Sequence, residues 1–284
     1  MQGQIRVVAV RTTGLVEEAR LRHHTMPTAT AALGRALTAG LLLAVDLKGE
    51  NVLTIRVFGD GPLGGIIVTA DASSGVRGYV QDPRVHLPSR NNKLDVGGAV
   101  GRNGMLTVSK DLGLKEPYVG SVPLVSGEIA EDITYYLAAS EQRPAATALG
   151  VLVDTDGRVL QAGGYLMEIM PGAEASTINR LEQRLAGMKT VTDMLSQGLS
   201  PEDILQEVAG EEAKLKILDC STVHFRCHCT REKLLDLLVS LGVRELENLL
   251  QQEGQAEVRC HFCNESYVYS GRELEAMVQR LKES

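Results

Sequence analysis

Phe225-Arg226-Cys227-His228-Cys229 and, after thirty further residues, Cys260-His261-Phe262-Cys263 hold four of the five cysteines in the chain. Two closely spaced sulfur pairs, brought together by a helical insert, make a tetrahedral thiolate site for Zn²⁺. The Cys-x-x-Cys half predicts a knuckle turn between two strands, with both sulfurs aimed at one metal. In the Cys-x-Cys half one residue separates the sulfurs, so they converge only if that residue is turned aside. The spacing points first to zinc and second to redox chemistry. Structural cysteines without a metal scatter along a chain, and these do not. His224, His228 and His261 adjoin the cysteines and are alternative ligands. They do not themselves fall at ligand spacing, so the favoured set is Cys227, Cys229, Cys260 and Cys263. A disulfide scaffold fits poorly, because the chain is long, lacks a secretory leader and is nearly cysteine-free elsewhere.

The 284 residues suffice for one large domain and a small one. With no Trp and 4% aromatics, the core must be aliphatic. Net charge is −7. Residues 227–284 carry seven basic and ten acidic side chains, so the cysteine region is acidic. That argues against phosphate-backbone binding, which needs clustered Lys and Arg. The most apolar run, Ala36 to Val45, is too short to span a bilayer. A reducing, cytoplasmic setting is the expectation.

The fold class read from the pattern is α+β, in three parts. Residues 1–172 form a mixed α/β domain rich in hairpins. A strand is expected from Met1 to Arg11 and a short helix from Glu17 to His24. A buried helix follows Pro27 over Thr28 to Leu47, because Leu and Ala nearly surround it. Period-two alternation after Asn51 predicts a hairpin through the turn Gly59-Asp60-Gly61-Pro62, then strands at Val76–Val80, Leu106–Lys110 and Tyr118–Val125. Residues 82–103 read as a long loop or edge segment. Gly59-Asp60-Gly61 and Gly101-Arg102-Asn103-Gly104 resemble phosphate cradles only weakly, with no following Lys-Ser/Thr, and read as turns. Gly127–Ser140 is a helix with Ile129, Ile133, Tyr136 and Leu137 inward and Glu128, Glu131 and Asp132 facing water or at its positive end. A second hairpin runs from Ala148 to Met170, with Gly163-Gly164 marking a bulge or a close backbone contact.

Residues 173–221 carry three short amphipathic helices separated by glycines. Their apolar faces are Ile178, Leu181 and Leu185, then Val191, Met194 and Leu195, then Ile204, Leu205 and Val208. Each is too short to hold alone in water and must lie against something apolar. Residues 222–284 form a small α+β module: two Leu-rich helices, a hairpin carrying the knuckle, and a last helix opened by the capping box Ser270-Gly271-Arg272-Glu273. So thin a core needs its metal, which supplies on the order of 10 kcal/mol of folding energy.

With the cysteine pairs stand other landmarks: Gly59-Asp60-Gly61-Pro62, Ser140-Glu141-Gln142 with Pro144, Ala162-Gly163-Gly164, Met170-Pro171 and Glu253-Gly254. Together they resemble the 33 kDa chaperonin (heat-shock protein 33) family of redox-regulated bacterial holdases, over the whole chain. The resemblance implies an ATP-independent chaperone and no enzyme. Zinc would be held by the four cysteines when reduced. Oxidation would form the disulfides Cys227–Cys229 and Cys260–Cys263, release the zinc, and unfold the module and the linker. Unfolded client proteins would bind the exposed apolar surface, with Ile178, Leu181, Leu185, Met194, Leu195, Ile204 and Leu205 as candidate contacts. The active form would be a homodimer. Cys220 lies outside the quartet and reads as a spare thiol.

Three other classes compete. A zinc-ribbon nucleic-acid binder needs a basic module, and this one is acidic. A thiol–disulfide oxidoreductase places its Cys-x-x-Cys at a helix start, where the thiol pKa falls; here the motif joins two strands. A metabolic enzyme in the first domain would need a nucleophile–base pair that the sequence does not display.

Overall fold

The computed structural model describes residues 3–283. Met1 and Gln2, at the start of the expected first strand, lie outside them. The chain forms two compact units, Met1–Arg226 and Cys227–Ser284.

The first unit opens with β1 (Ile5–Arg11), α1 (Thr13–His23) and α2 (Pro27–Ala44). The strands β2 (Val52–Phe58), β3 (Ile66–Asp71) and β4 (Gly75–Val80) follow, then α3 (Val96–Val100), β5 (Met105–Asp111), β6 (Tyr118–Pro123) and α4 (Ala130–Ala139). The hairpin β7 (Ala145–Val153) and β8 (Val159–Ile169) leads into α5 (Ala175–Gly187), α6 (Val191–Ser196) and α7 (Pro201–Ala209). A two-residue strand, β9 (His224–Phe225), ends the unit. Two sheets result, of order β1-β8-β7 and β6-β5-β2-β3-β4-β9.

Helix α2 is the axis of this unit. Pro27 stands at its first turn, where the missing N–H costs nothing. As expected, almost every one of its side chains is buried. It packs on β2, β3 and β4 of one sheet and on β7 and β8 of the other. Small residues make this fit possible: a Cβ at Gly34 would meet Val16 Cγ1 at 2.6 Å and Val151 Cγ2 at 2.8 Å.

Two glycine expectations gain their physical reason. A Cβ on Gly59 would lie 2.1 Å from Val100 O, and one on Gly61 would lie 2.3 Å from Ala99 O. The Asp60 carboxylate accepts from the backbone N–H of Arg102 and Asn103 and from Asn103 Nδ2. The two glycine-rich loops thus fill one another, leaving no phosphate cradle. Gly163 and Gly164 serve close contact: a Cβ on the first would meet Leu195 Cδ1 at 2.9 Å, and one on the second Thr38 Cγ2 at 3.0 Å. The irregularity of this hairpin lies elsewhere, between Leu152 and Val153.

One reading is corrected and two others are sharpened. Residues 82–103 are not all loop, since Asp95 caps the short α3 by accepting from Gly98 N at 2.9 Å. Asp132 sits in the first turn of α4, the second of the two places expected of it. It is fully buried and accepts from the backbone N–H of Val125, Ser126, Gly127 and Ile129, so it organises the turn before α4. Strand β9 pairs in parallel with β4 inside the first unit, so the two compact units divide after Arg226. The Ser140-Glu141-Gln142 landmark also acquires a role. Glu141 accepts from Tyr136 Oη (2.7 Å), from Arg143 Nη1 (3.0 Å) and from Lys110. Arg143 also pairs with the buried Glu168 on β8.

Helices α6 and α7 lie on the β1-β8-β7 sheet, and α5 packs on α7. Consecutive strand residues face opposite sides, so Gly163 faces α6 while Gly164 faces α2. Tyr165 and Met167, on the α6 side, join Leu181, Val191, Met194, Leu195, Ile204 and Val208 in one buried cluster. Ser200 and Asp203 form the expected capping box of α7.

The second unit holds α8 (Arg231–Val239), α9 (Val243–Glu253), the antiparallel pair β10 (Gln255–Arg259) and β11 (Ser266–Ser270), and α10 (Gly271–Glu283). Its core is Leu234, Leu238, Leu246, Ala256, Tyr269, Leu274, Met277 and Val278. Leu237 on α8 and Leu241 just after it stay exposed. Ser270 N and Oγ both donate to Glu273 Oε2 at 2.8 Å, completing the expected cap of α10.

Candidate metal centre

The knuckle is built by local hydrogen bonds. Cys260 N donates to Glu265 O (2.9 Å) and Asn264 N donates to Cys260 O (2.7 Å), with Asn264 in the left-handed region at φ 60°. This turn brings Cys260 and Cys263 to one side of the β10–β11 hairpin. The other pair sits immediately before α8, whose N-cap Thr230 accepts from Lys233 N at 3.3 Å. Lys233 Nζ also donates to His228 O at 3.1 Å. The His228 side chain is exposed, and the sulfurs on either side of it converge.

All four Sγ atoms lie within 4.8 Å of one another. Cys227 and Cys260 are 3.7 Å apart, and Cys229 and Cys263 are 3.3 Å apart. A tetrahedron of about 2.3 Å metal–sulfur bonds has edges of about 3.8 Å, so the donor set and spacing fit Zn²⁺. Among the described residues the cluster contains sulfur donors only. Cys260 and Cys263 are buried, Cys227 and Cys229 half-buried, and Cys220 is exposed.

Burial pushes the Cys227 thiol up to about 11, and burial raises Cys263 further. Cys229 goes the other way: burial opposes ionisation, but hydrogen bonds from Tyr267 and the neighbouring sulfurs outweigh it. Tyr267 is a contributor that the cysteine spacing does not reveal. Its position opposite Val258 in the hairpin delivers the hydroxyl to Cys229. Four crowded sulfurs cannot all be thiolates unless a cation neutralises them, so the arrangement is chemically a metal trap.

The seven candidate client contacts lie on α5, α6 and α7 as expected. Leu181, Met194, Leu195 and Ile204 are buried in the cluster on the three-stranded sheet, and Leu185 packs against it. Ile178 and Leu205 are half-buried.

An α+β chain ending in a four-thiolate module that fits a tetrahedral metal belongs to a narrow class. The Hsp33 protein family model matches residues 1–270. The 33 kDa chaperonin of Desulforamulus reducens is 51% identical over 282 residues, covering 99% of this chain and 95% of that protein. The 33 kDa chaperonin of Geobacillus sp. (strain WCH70) is 49% identical over 278 residues, covering 98% and 94%. The crystal structure of the 33 kDa chaperonin of Thermotoga maritima superposes with a TM-score of 0.94 at 38% identity, covering 100% of this chain and 97% of that one. The chain belongs to the Hsp33 family. It is a chaperone and not an enzyme.

Proposed function

We propose that this chain is a redox-regulated, ATP-independent holdase that keeps thermally unfolding and oxidatively damaged proteins from aggregating in the cytoplasm. Cys227, Cys229, Cys260 and Cys263 hold one Zn²⁺ in the reduced form. When bound, the ion keeps four sulfurs together as thiolates and supplies most of the folding energy of a thinly cored module. Under peroxide each of two thiolate pairs gives up two electrons to one peroxide, which takes up protons and leaves as two waters. The pairs formed are Cys227–Cys229 and Cys260–Cys263. A disulfide sulfur carries no charge and holds no metal, so the module loses its anchor and unfolds.

The functional division is a chaperone core over residues 1–172, a regulatory cover over 173–221 and a switch over 222–284. Release of the cover exposes Tyr165 and Met167 together with Ile178, Leu181, Leu185, Met194, Leu195, Ile204 and Leu205. That apolar surface takes unfolded clients, and the active form is a homodimer. The acidic module has no use for nucleic acid, and no helix among the described residues is long and apolar enough to cross a membrane.

The observation that carries this reading is the four-sulfur cluster in a unit whose apolar core is a few side chains deep. One titration tests it: bound zinc, free thiols and suppression of light scattering by an aggregating client, before and after peroxide. Zinc loss, loss of four thiols and gain of suppression should coincide. Equal suppression with zinc fully bound would overturn the switch.

A further inference from the structure

The edge of β4 carries a docking site that is filled by this chain's own residues 221–226. His224 N donates to Ser74 O at 3.3 Å and Arg226 N donates to Val76 O at 2.9 Å, so β9 extends the six-stranded sheet in parallel. Phe225 is buried at 9% exposure. Its ring lies 6.5 Å from the His23 ring, edge to face, and the Arg22 guanidinium sits over it at 5.3 Å from the centroid. Arg226 Nη1 donates to Ser73 Oγ at 3.1 Å, and Ser221 Oγ lies 2.8 Å from Ser74 Oγ. Gly75 keeps the approach open: a Cβ there would meet Asp71 Oδ2 at 2.9 Å and Arg226 Cβ at 3.2 Å. An aromatic slot lined by α1, a strand edge and an acidic border at Asp71 are together a reader for an extended aromatic–basic segment.

The segment seated there is short. Two ladder positions, one ring and two side-chain hydrogen bonds hold it, and the next residue is Cys227, a member of the sulfur cluster. Once that cluster no longer orders the following residues, only these few contacts keep β9 on the edge. We infer that the β4 edge with the His23–Arg22 slot is a client-binding site for extended segments carrying an aromatic residue followed by a basic one, and that β9 occupies it in the reduced state. This rests on the chaperone reading above and names one surface and one client chemistry for it. The recognition is β-augmentation, in which backbone bonds give affinity and the aromatic slot gives selectivity.

The test uses the full chain and a fluorescent peptide of residues 221–226 with a photo-crosslinker at its N-terminus. Its partners are the reduced zinc-loaded protein, the oxidised protein, and reduced zinc-loaded F225A. Binding at least about tenfold tighter to oxidised protein and to F225A than to reduced wild type is expected, with crosslinks on α1 and β4. A peptide with Phe replaced by Ala should lose about tenfold on both. No binding to either open form, an unchanged affinity for the Ala peptide, or crosslinks confined to other elements would overturn the site. Binding to reduced F225A but not to oxidised wild type would uphold the site and overturn the redox reading instead. Urea midpoints close to wild type show that F225A is folded, and the oxidised wild-type arm tests the site if it is not.

Discussion

Tyr267 Oη lies 3.6 Å from Cys229 Sγ at the rim of the four-cysteine cluster, and it is the donor once Cys229 is a thiolate. A hydrogen bond withdraws electron density from a thiolate and slows its attack on peroxide. Y267F should therefore leave zinc stoichiometry intact and speed peroxide-driven zinc release by about two- to tenfold, the rate equivalent of one hydrogen bond. Release followed with a metallochromic dye at fixed peroxide checks it; an unchanged rate would show that the contact does not tune the site.

Metal uptake must depend on pH with a definite sign. The Cys227 thiol sits at about 11 because of burial, so without a cation it is protonated at neutral pH. Binding expels thiol protons, and affinity therefore falls as pH falls. Competition with a chelator between about pH 8 and pH 6 should show apparent affinity dropping by more than about tenfold per unit, and chelation should erase the helical signal of residues 227–284 while sparing the first unit.

Asp132 accepts four backbone N–H groups from a fully buried position. Asp132→Ala strands those donors without water. The expected cost is about 3–5 kcal/mol of first-unit stability, read from urea unfolding, with zinc content unchanged.

Glu141 is held below the usual carboxylate range. Burial opposes its ionisation, but hydrogen bonds from Lys110 and Tyr136 prevail. A depressed acid stabilises the fold above its unfolded value near 4.5 and loses that contribution as pH falls through its lower folded value. E141Q should cost about 2–3 kcal/mol at neutral pH. The gap to wild type should narrow as pH falls below 4.5 and through the lower folded value, as the wild-type carboxylate takes up its proton; thermal melts from neutral to acid pH measure it.

Ile204 is fully buried between α7 and the three-stranded sheet. Truncation of such a side chain costs about 2–5 kcal/mol, more than a nine-residue helix holds in reserve. Reduced, zinc-loaded I204A should suppress client aggregation partly without oxidant, and protease should cut residues 173–221 sooner than in wild type.

Much of this was legible along the chain, because the patterns are local. The spacing of Cys227, Cys229, Cys260 and Cys263 announces a four-sulfur cluster able to hold a metal ion, since a turn that aims two sulfurs at one point needs only neighbouring residues. Apolar periodicity and caps such as Ser200–Asp203 place the helices for the same reason, each side chain reaching backbone three or four positions away. Tertiary structure alone decided where distant segments meet. It made Asp132, expected to face water or to sit at the positive helix end, a buried anchor, because Val125, Ser126 and Gly127 fold back over it. It put Phe225 beside β4, because a strand edge 149 residues earlier offered free backbone groups. It brought Tyr267 to Cys229 through strand pairing. A sequence pattern states which side chains share a face; only packing states what that face meets.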